Sequence, residues 1–273
     1  MRRLVTANVA WLCGSCLLWT GCALLSPRTS KEVEQVPLHE PLVIHSDFDL
    51  PHDHRLLREL SAQRDDIASL LDLPMSDEPI HVYLFGSPLA YEAFLEKRFP
   101  QLPRRRAFFV ETDTELTVYA HWGERIAEDL RHEVAHGYLH AVVDDLPLWL
   151  DEGLAEYLEV PRGWQGLNRP HVELLLDELQ RQQWRPDLPR LERIGSAAKM
   201  TQRDYAESWA WMHWLLETSP ARRQLLRRHL HGLRTSADMP PLSQVLAEAE
   251  SSPAPLLIAH LQSLHRATAP TAP

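Results

Sequence analysis

Residues 124–140 read ERIAEDLRHEVAHGYLH, and this stretch predicts an amphipathic helix that carries a metal site. Apolar side chains recur in its first half at helical spacing, with no intervening proline or glycine. His132 and His136 are four residues apart, so a helix places both imidazoles on one face, where they can bind the same ion. Glu133 lies beside them without being a ligand, and we predict that it is the general base that takes a proton from the attacking water.

Residues 149–157 read WLDEGLAEY and offer a carboxylate as the third metal ligand. Pro147 predicts the start of a second helix, which can return beside the first after the chain turns. Glu152 and Glu156 are four residues apart, so both can face the ion. We assign Glu152 to the metal, and Glu156 to a hydrogen bond from the second ring nitrogen of His132. The two roles could be exchanged, and Glu156 could also be a solvated helix residue.

Two imidazoles and one carboxylate form a ligand set of catalytic zinc, which keeps a further position for water. We therefore predict Zn²⁺ as the cofactor. His140 continues the four-residue spacing, but about 12 Å of helix separates it from His132, so these two cannot share an ion. The alternative is a pair of solvated histidines on an exposed helix, since a chain with 15 histidines can carry this pattern by chance.

The two stretches together resemble the gluzincin branch of zinc metallopeptidases, and especially the bacterial peptidase MA-like proteins. The resemblance implies a zincin-like fold, cleavage of peptide bonds, and Glu152 as the third ligand, because Glu152 occupies the glutamate position of the family's NEG or DEG triplet. It covers roughly residues 120–160 and extends more loosely to residues 205–209, YAESW. The spacing from His136 to Glu152 is shorter than in the thermolysin and aminopeptidase groups, so neither endopeptidase nor exopeptidase activity is implied.

Tyr205 is the candidate donor for the oxyanion that peptide hydrolysis generates. It resembles the tyrosine that other gluzincins place across the cleft. The alternative is a core tyrosine, because Tyr205 begins an apolar stripe at helical spacing. His171 and His213 are weaker candidates, and ordinary partly buried histidines are the simpler interpretation.

Residues 1–21 have the charged, apolar and small-residue parts of a secretory signal peptide. The Gly-Cys pair at its end resembles a bacterial lipobox, which implies lipidation of Cys22 and a lipid-anchored protein of the bacterial cell envelope, on the periplasmic side in a Gram-negative cell. Trp19 departs from the aliphatic residue of that pattern, and ordinary cleavage or a retained membrane anchor are the alternatives. All three cysteines lie within residues 1–22, so the exported body after Cys22 has no internal disulfide and no thiolate ligand.

The net charge of −10 argues against nonspecific nucleic-acid binding. The expected partners are therefore a peptide or protein substrate and a membrane, which the N-terminal lipid anchor contacts. The main basic run, residues 104–106, is interpreted as a solvated loop, and a contact with anionic lipid or substrate is the alternative.

The order of patterns predicts an α+β fold, with a small mixed sheet and helices before the metal-site helix and a mostly helical lobe after it. The predicted boundaries are a tether at 22–41, a zincin-like peptidase domain at 42–266 with lobes 42–141 and 142–266, and a disordered tail at 267–273. Predicted strands cover 42–48 and 80–85 and a hairpin of 107–111 with 115–120; predicted helices cover 56–71, 148–160, 169–184, 202–217, 220–233 and 253–266.

Residues 115–120 are the candidate edge strand, to which an extended peptide would pair beside the metal site. An interior position in the sheet is the alternative. A zinc peptidase is thus the leading hypothesis. The alternatives are an inactive envelope scaffold, whose partner-binding face would use Trp209, Trp211 and Trp214, and a zinc hydrolase of a non-peptide amide.

Overall fold

A computed structural model describes residues 34–37, 41–101, 104–236 and 238–268. The predicted signal peptide, Cys22, and residues 269–273 of the predicted tail lie outside the described residues. Within the described ranges, no helix has both the length and the apolar character needed to cross a membrane.

The fold is α+β, with one mixed sheet followed by helices. The strands are β1 (Glu34–Pro37), β2 (Leu42–Ser46), β3 (Ile80–Phe85), β4 (Ala107–Glu111) and β5 (Leu116–His121). Their order across the sheet is β1-β2-β3-β5-β4. The central strands β2, β3 and β5 are parallel, whereas β1 and β4 are antiparallel to their neighbours. β1 lies within the segment predicted as a tether.

Helices α1 and α2 lie between the strands, and all later elements are helical. They are α1 (Arg55–Leu71), α2 (Pro88–Arg98), α3 (Ile126–His140), α4 (Leu148–Leu158), α5 (Arg169–Gln180), α6 (Leu188–Glu192), a 3₁₀ turn (Ala197–Lys199), α7 (Gln202–Glu217), α8 (Pro220–Thr235), α9 (Leu242–Ala249) and α10 (Pro253–Thr268).

The strand predicted to lie at the sheet edge is an interior strand. β5 pairs with β3 in parallel and with β4 antiparallel, so the prediction that residues 115–120 form the rail is wrong. Its core-facing side chains Leu116, Val118 and Ala120 are all buried, which suits a central position. The edge strand next to β5 is β4, which ends in the exposed Glu111.

The main core lies on one face of the sheet and continues into the helical lobe. The alternating residues of β3, from Ile80 to Leu84, face this core with α1 and α3. On the opposite face, α2 packs a smaller aromatic cluster around Tyr91 and Phe108. The sheet thereby fixes α3 and its histidines against a rigid surface.

Helices α4 and α7 make the closest helix packing that concerns the site. A Cβ atom on Gly153 would lie 2.7 Å from the carbonyl oxygen of Ser208, so only glycine permits this approach. The tryptophans of α7, Trp209, Trp211 and Trp214, are all buried. They form the core behind α4 and not the exposed partner-binding face that the scaffold hypothesis requires.

Candidate metal centre

His132, His136 and Glu152 meet between α3 and α4. Glu152 Oε2 is 3.5 Å from Nε2 of His132 and 3.7 Å from Nε2 of His136. The three ligand atoms all lie within 4.8 Å of one another. The two histidines project from successive turns of α3, and α4 crosses beside them to bring the carboxylate, as the spacing of the two stretches predicts.

The spacing of these atoms fits a zinc ion. Ligands at 2.0–2.2 Å in a tetrahedral sphere are about 3.4 Å apart, close to the separations found here. Two other groups of residues could hold a metal, His136 with His140 and Asp151, and His132 with Glu156 and Glu159. These groups are already joined by hydrogen bonds of 2.7 to 3.0 Å. These distances suit a shared proton, which makes the first group the strongest candidate for a metal site.

A carboxylate holds the second ring nitrogen of each histidine. Nδ1 of His132 donates to Oε2 of Glu159 over 3.0 Å, and Nδ1 of His136 donates to Oδ1 of Asp151 over 2.7 Å. Such hydrogen bonds leave Nε2 unprotonated in the neutral ring and point it at the ion. Both partners were missed by the sequence analysis.

The prediction that Glu156 accepts from His132 is wrong. Glu156 instead accepts a hydrogen bond of 2.6 Å from Nε2 of His171. Glu159 lies immediately after the last residue of α4, and its side chain reaches the histidine. A signal for it exists, because residues 152, 156 and 159 follow the i, i+4, i+7 spacing of one helix face.

The site concentrates negative charge in a buried place. Burial alone lowers the pKa of His132, but Glu152 and Glu159 outweigh it and raise that pKa well above its usual value. The pKa of His136 is likewise lowered by burial and raised by Asp151 and Glu152, with a net rise. Buried carboxylates require a compensating cation, and a divalent metal at this site would supply it without protonating the rings.

His140, at the end of α3, belongs to the same network. Its Nε2 donates to Oδ2 of Asp151 over 3.0 Å, and its Nδ1 donates to Oε2 of Glu111 over 2.7 Å. Burial lowers the pKa of His140, but these carboxylates raise it to about 10. Phe109 on β4 lies over this region, with ring centroids 5.1 Å from His140 and 5.9 Å from His136.

Glu133 lines a large cleft, which we call the main cleft. The main cleft has a volume of about 1380 Å³, and His132 is also in its lining. Residues 104–107 and 159–161 line it as well. Within the described part of the chain, no hydrogen bond or ion pair engages the carboxylate of Glu133. It is therefore available to a water molecule or a substrate.

Tyr205 lies near the metal site and has a partner that was not expected. Nη2 of Arg105 donates to the hydroxyl of Tyr205 over 3.4 Å. Burial and the charge of Glu152 raise the pKa of Tyr205, so the phenol keeps its proton at neutral pH. Burial lowers the pKa of Arg105, but Tyr205, Glu152 and Glu133 raise it overall. Arg105 therefore belongs to the site and is not only part of a solvated loop.

Residues 126–240 match a protein family described as "Protein of unknown function (DUF1570)". The match begins with α3 and continues to the loop after α8, so it contains His132, Glu133, His136, Glu152 and Tyr205. A search of curated proteins found no match.

Proposed function

We propose that the protein is a zinc-dependent hydrolase, and specifically a peptidase. One observation carries the proposal. Three ligand atoms converge at metal-ligand spacing, and Glu133, which has no hydrogen bond or ion pair among the described residues, lies next to His132 in the lining of the main cleft. A zinc ion held there would activate water and polarise a substrate carbonyl.

Glu133 supplies the proton transfers of this reaction. Its carboxylate takes a proton from the attacking water and delivers it to the nitrogen of the departing amine. The residue is only half-buried and opens to the main cleft, so a substrate can reach it. Asp151 and Glu159 cannot replace it, because each already accepts a hydrogen bond from a histidine.

Tyr205 and Arg105 supply hydrogen-bond donors for the oxyanion. Both lie close enough to Glu152 for its charge to affect their pKa values. The hydroxyl of Tyr205 accepts from Arg105, so its own proton remains free to donate to a negatively charged oxygen. Donors fixed in this way cost little reorganisation when the charge develops.

β4 favours a peptide as the substrate. It is one of the two edge strands of the sheet that the structure describes, and Phe109 at its centre lies beside His136. An extended peptide can pair with such an edge through its backbone. This assigns to β4 the substrate role that the sequence analysis gave to residues 115–120. An inactive scaffold would need neither this edge nor Glu133.

Zinc content and turnover of the purified full-length protein test the proposal. We expect one bound zinc and cleavage of a quenched-fluorescent peptide library. Glu133→Gln should keep the zinc and lower kcat by about 10²–10⁴-fold, the usual contribution of a general base. His132→Ala should lose both zinc and turnover.

The matched control is Glu124→Gln, which removes an exposed carboxylate just before the same helix. It should change neither quantity. Absence of zinc from the wild type would refute the metal centre, and full turnover by Glu133→Gln would refute the assignment of the base. The lipid anchor on Cys22 and the envelope location remain predictions, and mass spectrometry of the mature N-terminus tests them.

A further inference from the structure

A continuous chain of hydrogen bonds joins the edge strand to a metal ligand. Glu111 on β4 accepts from Nδ1 of His140 over 2.7 Å, and Nε2 of His140 donates to Asp151 over 3.0 Å. The other oxygen of Asp151 accepts from Nδ1 of His136 over 2.7 Å. Nε2 of His136 faces Glu152 across the candidate metal position.

We propose that His140 and Glu111 are positioning residues of the metal centre, and that they act on the ligand His136 through Asp151. This inference rests on the proposed metal site. We name the set Glu111, His140, Asp151 and His136 the β4 relay. Its members come from β4, α3 and α4, so the relay fixes three elements relative to the ion.

Asp151 can orient His136 only if its own carboxylate is held. Each oxygen of Asp151 is taken by a different histidine, and the residue is buried beside α3. Without His140, one oxygen would lose its partner in a place with little access to water. The carboxylate could then rotate, and the hydrogen bond that aims His136 would weaken.

Glu111 holds the far end of the relay. Its side chain is 41% exposed, whereas that of His140 is 17% exposed, so the relay runs from solvent at the sheet edge to the buried ligand. Phe109, two residues earlier on β4, covers the rings of His136 and His140. A peptide that pairs with β4 would therefore contact the strand that anchors the relay.

The geometry separates a relay from a second metal site. Both nitrogens of His140 are already in hydrogen bonds of 2.7 and 3.0 Å. Two ligands of one zinc ion lie about 3.4 Å apart, so these distances suit a shared proton and not a metal. We therefore expect one metal ion for each chain and not two.

Zinc affinity of the full-length protein, measured by competition with a chromogenic chelator, tests the relay without any need for turnover. Direct partners of ligating histidines contribute about 10- to 100-fold to metal affinity. We expect Asp151→Ala to weaken zinc binding within that range and His140→Leu to weaken it about tenfold, at the lower limit. Glu111→Gln, which exchanges a charged for a neutral acceptor, should weaken it about threefold.

The Co²⁺-substituted protein gives a second measurement. Its visible absorption bands report the geometry of the ligands, so His140→Leu should shift them. His140→Gln places an amide nitrogen where it can donate to Asp151, and it should restore most of the wild-type affinity and spectrum. Glu115→Gln, which changes an exposed carboxylate just before β5 on the same hairpin, is the control and should match the wild type.

A double variant tests the route through Asp151. In an Asp151→Ala background, His140→Leu should cause no further loss of zinc affinity, because the connection is already broken. An additional tenfold loss would overturn the relay, as would unchanged affinity and Co²⁺ spectra in His140→Leu and Glu111→Gln. Two zinc equivalents in the wild type would identify a second metal site in its place. A wild type that binds no zinc would refute the proposed metal centre together with the relay.

Discussion

At the scale of single residues, one hydrogen bond between Arg105 and Tyr205 determines the role that we propose for each side chain. The phenol keeps its proton because burial and the charge of Glu152 raise its pKa. Arg105 stays charged and donates to the phenol oxygen. That hydrogen bond orients the hydroxyl, so its proton could point towards the oxyanion of the proposed hydrolysis.

Tyr205→Phe removes this donor and keeps the ring. We expect kcat to fall by about 10²–10³-fold with little change in KM, because the lost interaction exists mainly in the transition state. Zinc content should not change. Tyr83→Phe, on the sheet face opposite the main core, is the matched control and should keep full activity. Full activity of Tyr205→Phe would mean that Tyr205 only packs on α7.

At the residue scale, the sequence predicted the site residues whose relative positions follow from their spacing along one helix. His132, Glu133 and His136 share one helix, and Glu152 follows from the next stretch. The partners of the ligands could not be found in the same way. Asp151 reaches His136 only because of the angle at which α4 crosses α3, and that angle depends on packing with α7.

At the element scale, Gly153 sets the distance between α4 and α7. Its missing side chain lets Ser208 and Met212 approach the backbone beside the metal ligand Glu152. In an unpacked helix, Gly→Ala stabilises by about 1 kcal/mol. Here the new methyl group would overlap the backbone oxygen of Ser208, and relief of such overlap costs about 1–3 kcal/mol.

We therefore expect Gly153→Ala to lower the free energy of unfolding by about 1–2 kcal/mol. It should also weaken zinc binding, because α4 must move with Glu152. Urea unfolding and chelator competition measure the two effects. Gly195→Ala is the control, since no heavy atom lies within 4 Å of a Cβ at that position. Equal stability of the Gly153 variant and the wild type would show that α4 and α7 can move apart to accommodate a methyl group at no cost in free energy.

Most elements could be predicted because their periodicity is local. The strand Ile80–Phe85 and the helix Gln202–Glu217 agree with the sequence analysis. Two short helices, α6 and α9, were not predicted, because five and eight residues are too few for a clear helical repeat. In α6, Pro189 occupies the first turn, and Pro241 is the N-cap of α9, and both positions need no amide hydrogen.

At the scale of the whole molecule, the sequence predicted the α+β class but not the sheet order. Hairpin 107–121 was correctly expected, and its orientation was not, because either strand of a hairpin can pair with the rest of a sheet. Pairing with β3 depends on which strand buries more apolar surface, and β5 does. Tertiary burial therefore decided which strand borders the site.

The C-terminal helix α10 packs against α7, which in turn packs against α4, and a pair of histidines joins α10 to α7. His213 on α7 and His260 on α10 share a hydrogen bond of 2.9 Å. Burial, together with His260, lowers the pKa of His213 to about 3, and burial together with Arg222 lowers that of His260 to about 4. Both rings are thus neutral in the folded protein at pH 5, whereas in the unfolded chain they are protonated below about pH 6.5.

This pair makes stability depend on pH. A lowered histidine pKa contributes stability above the unfolded pKa of about 6.5, and that contribution decreases as the pH falls towards the folded values. Near pH 5, the buried His213 alone gives the free energy of unfolding a slope of about 1.4 kcal/mol per pH unit. We expect His213→Gln to remove about this much of the slope between pH 5 and 6.

Urea unfolding at several pH values measures the slope, and the difference from the wild type cancels the contribution of the metal-site histidines because they lie on other helices. His260→Gln should reduce the slope in the same direction. His231→Gln, which replaces an exposed histidine on α8, is the matched control and should keep the wild-type slope. A His213→Gln slope equal to that of the wild type would mean that His213 is already protonated in the fold at pH 5. The interface between α7 and α10 would then admit a protonated imidazole, and the two helices would pack less tightly around His213 than the structure shows.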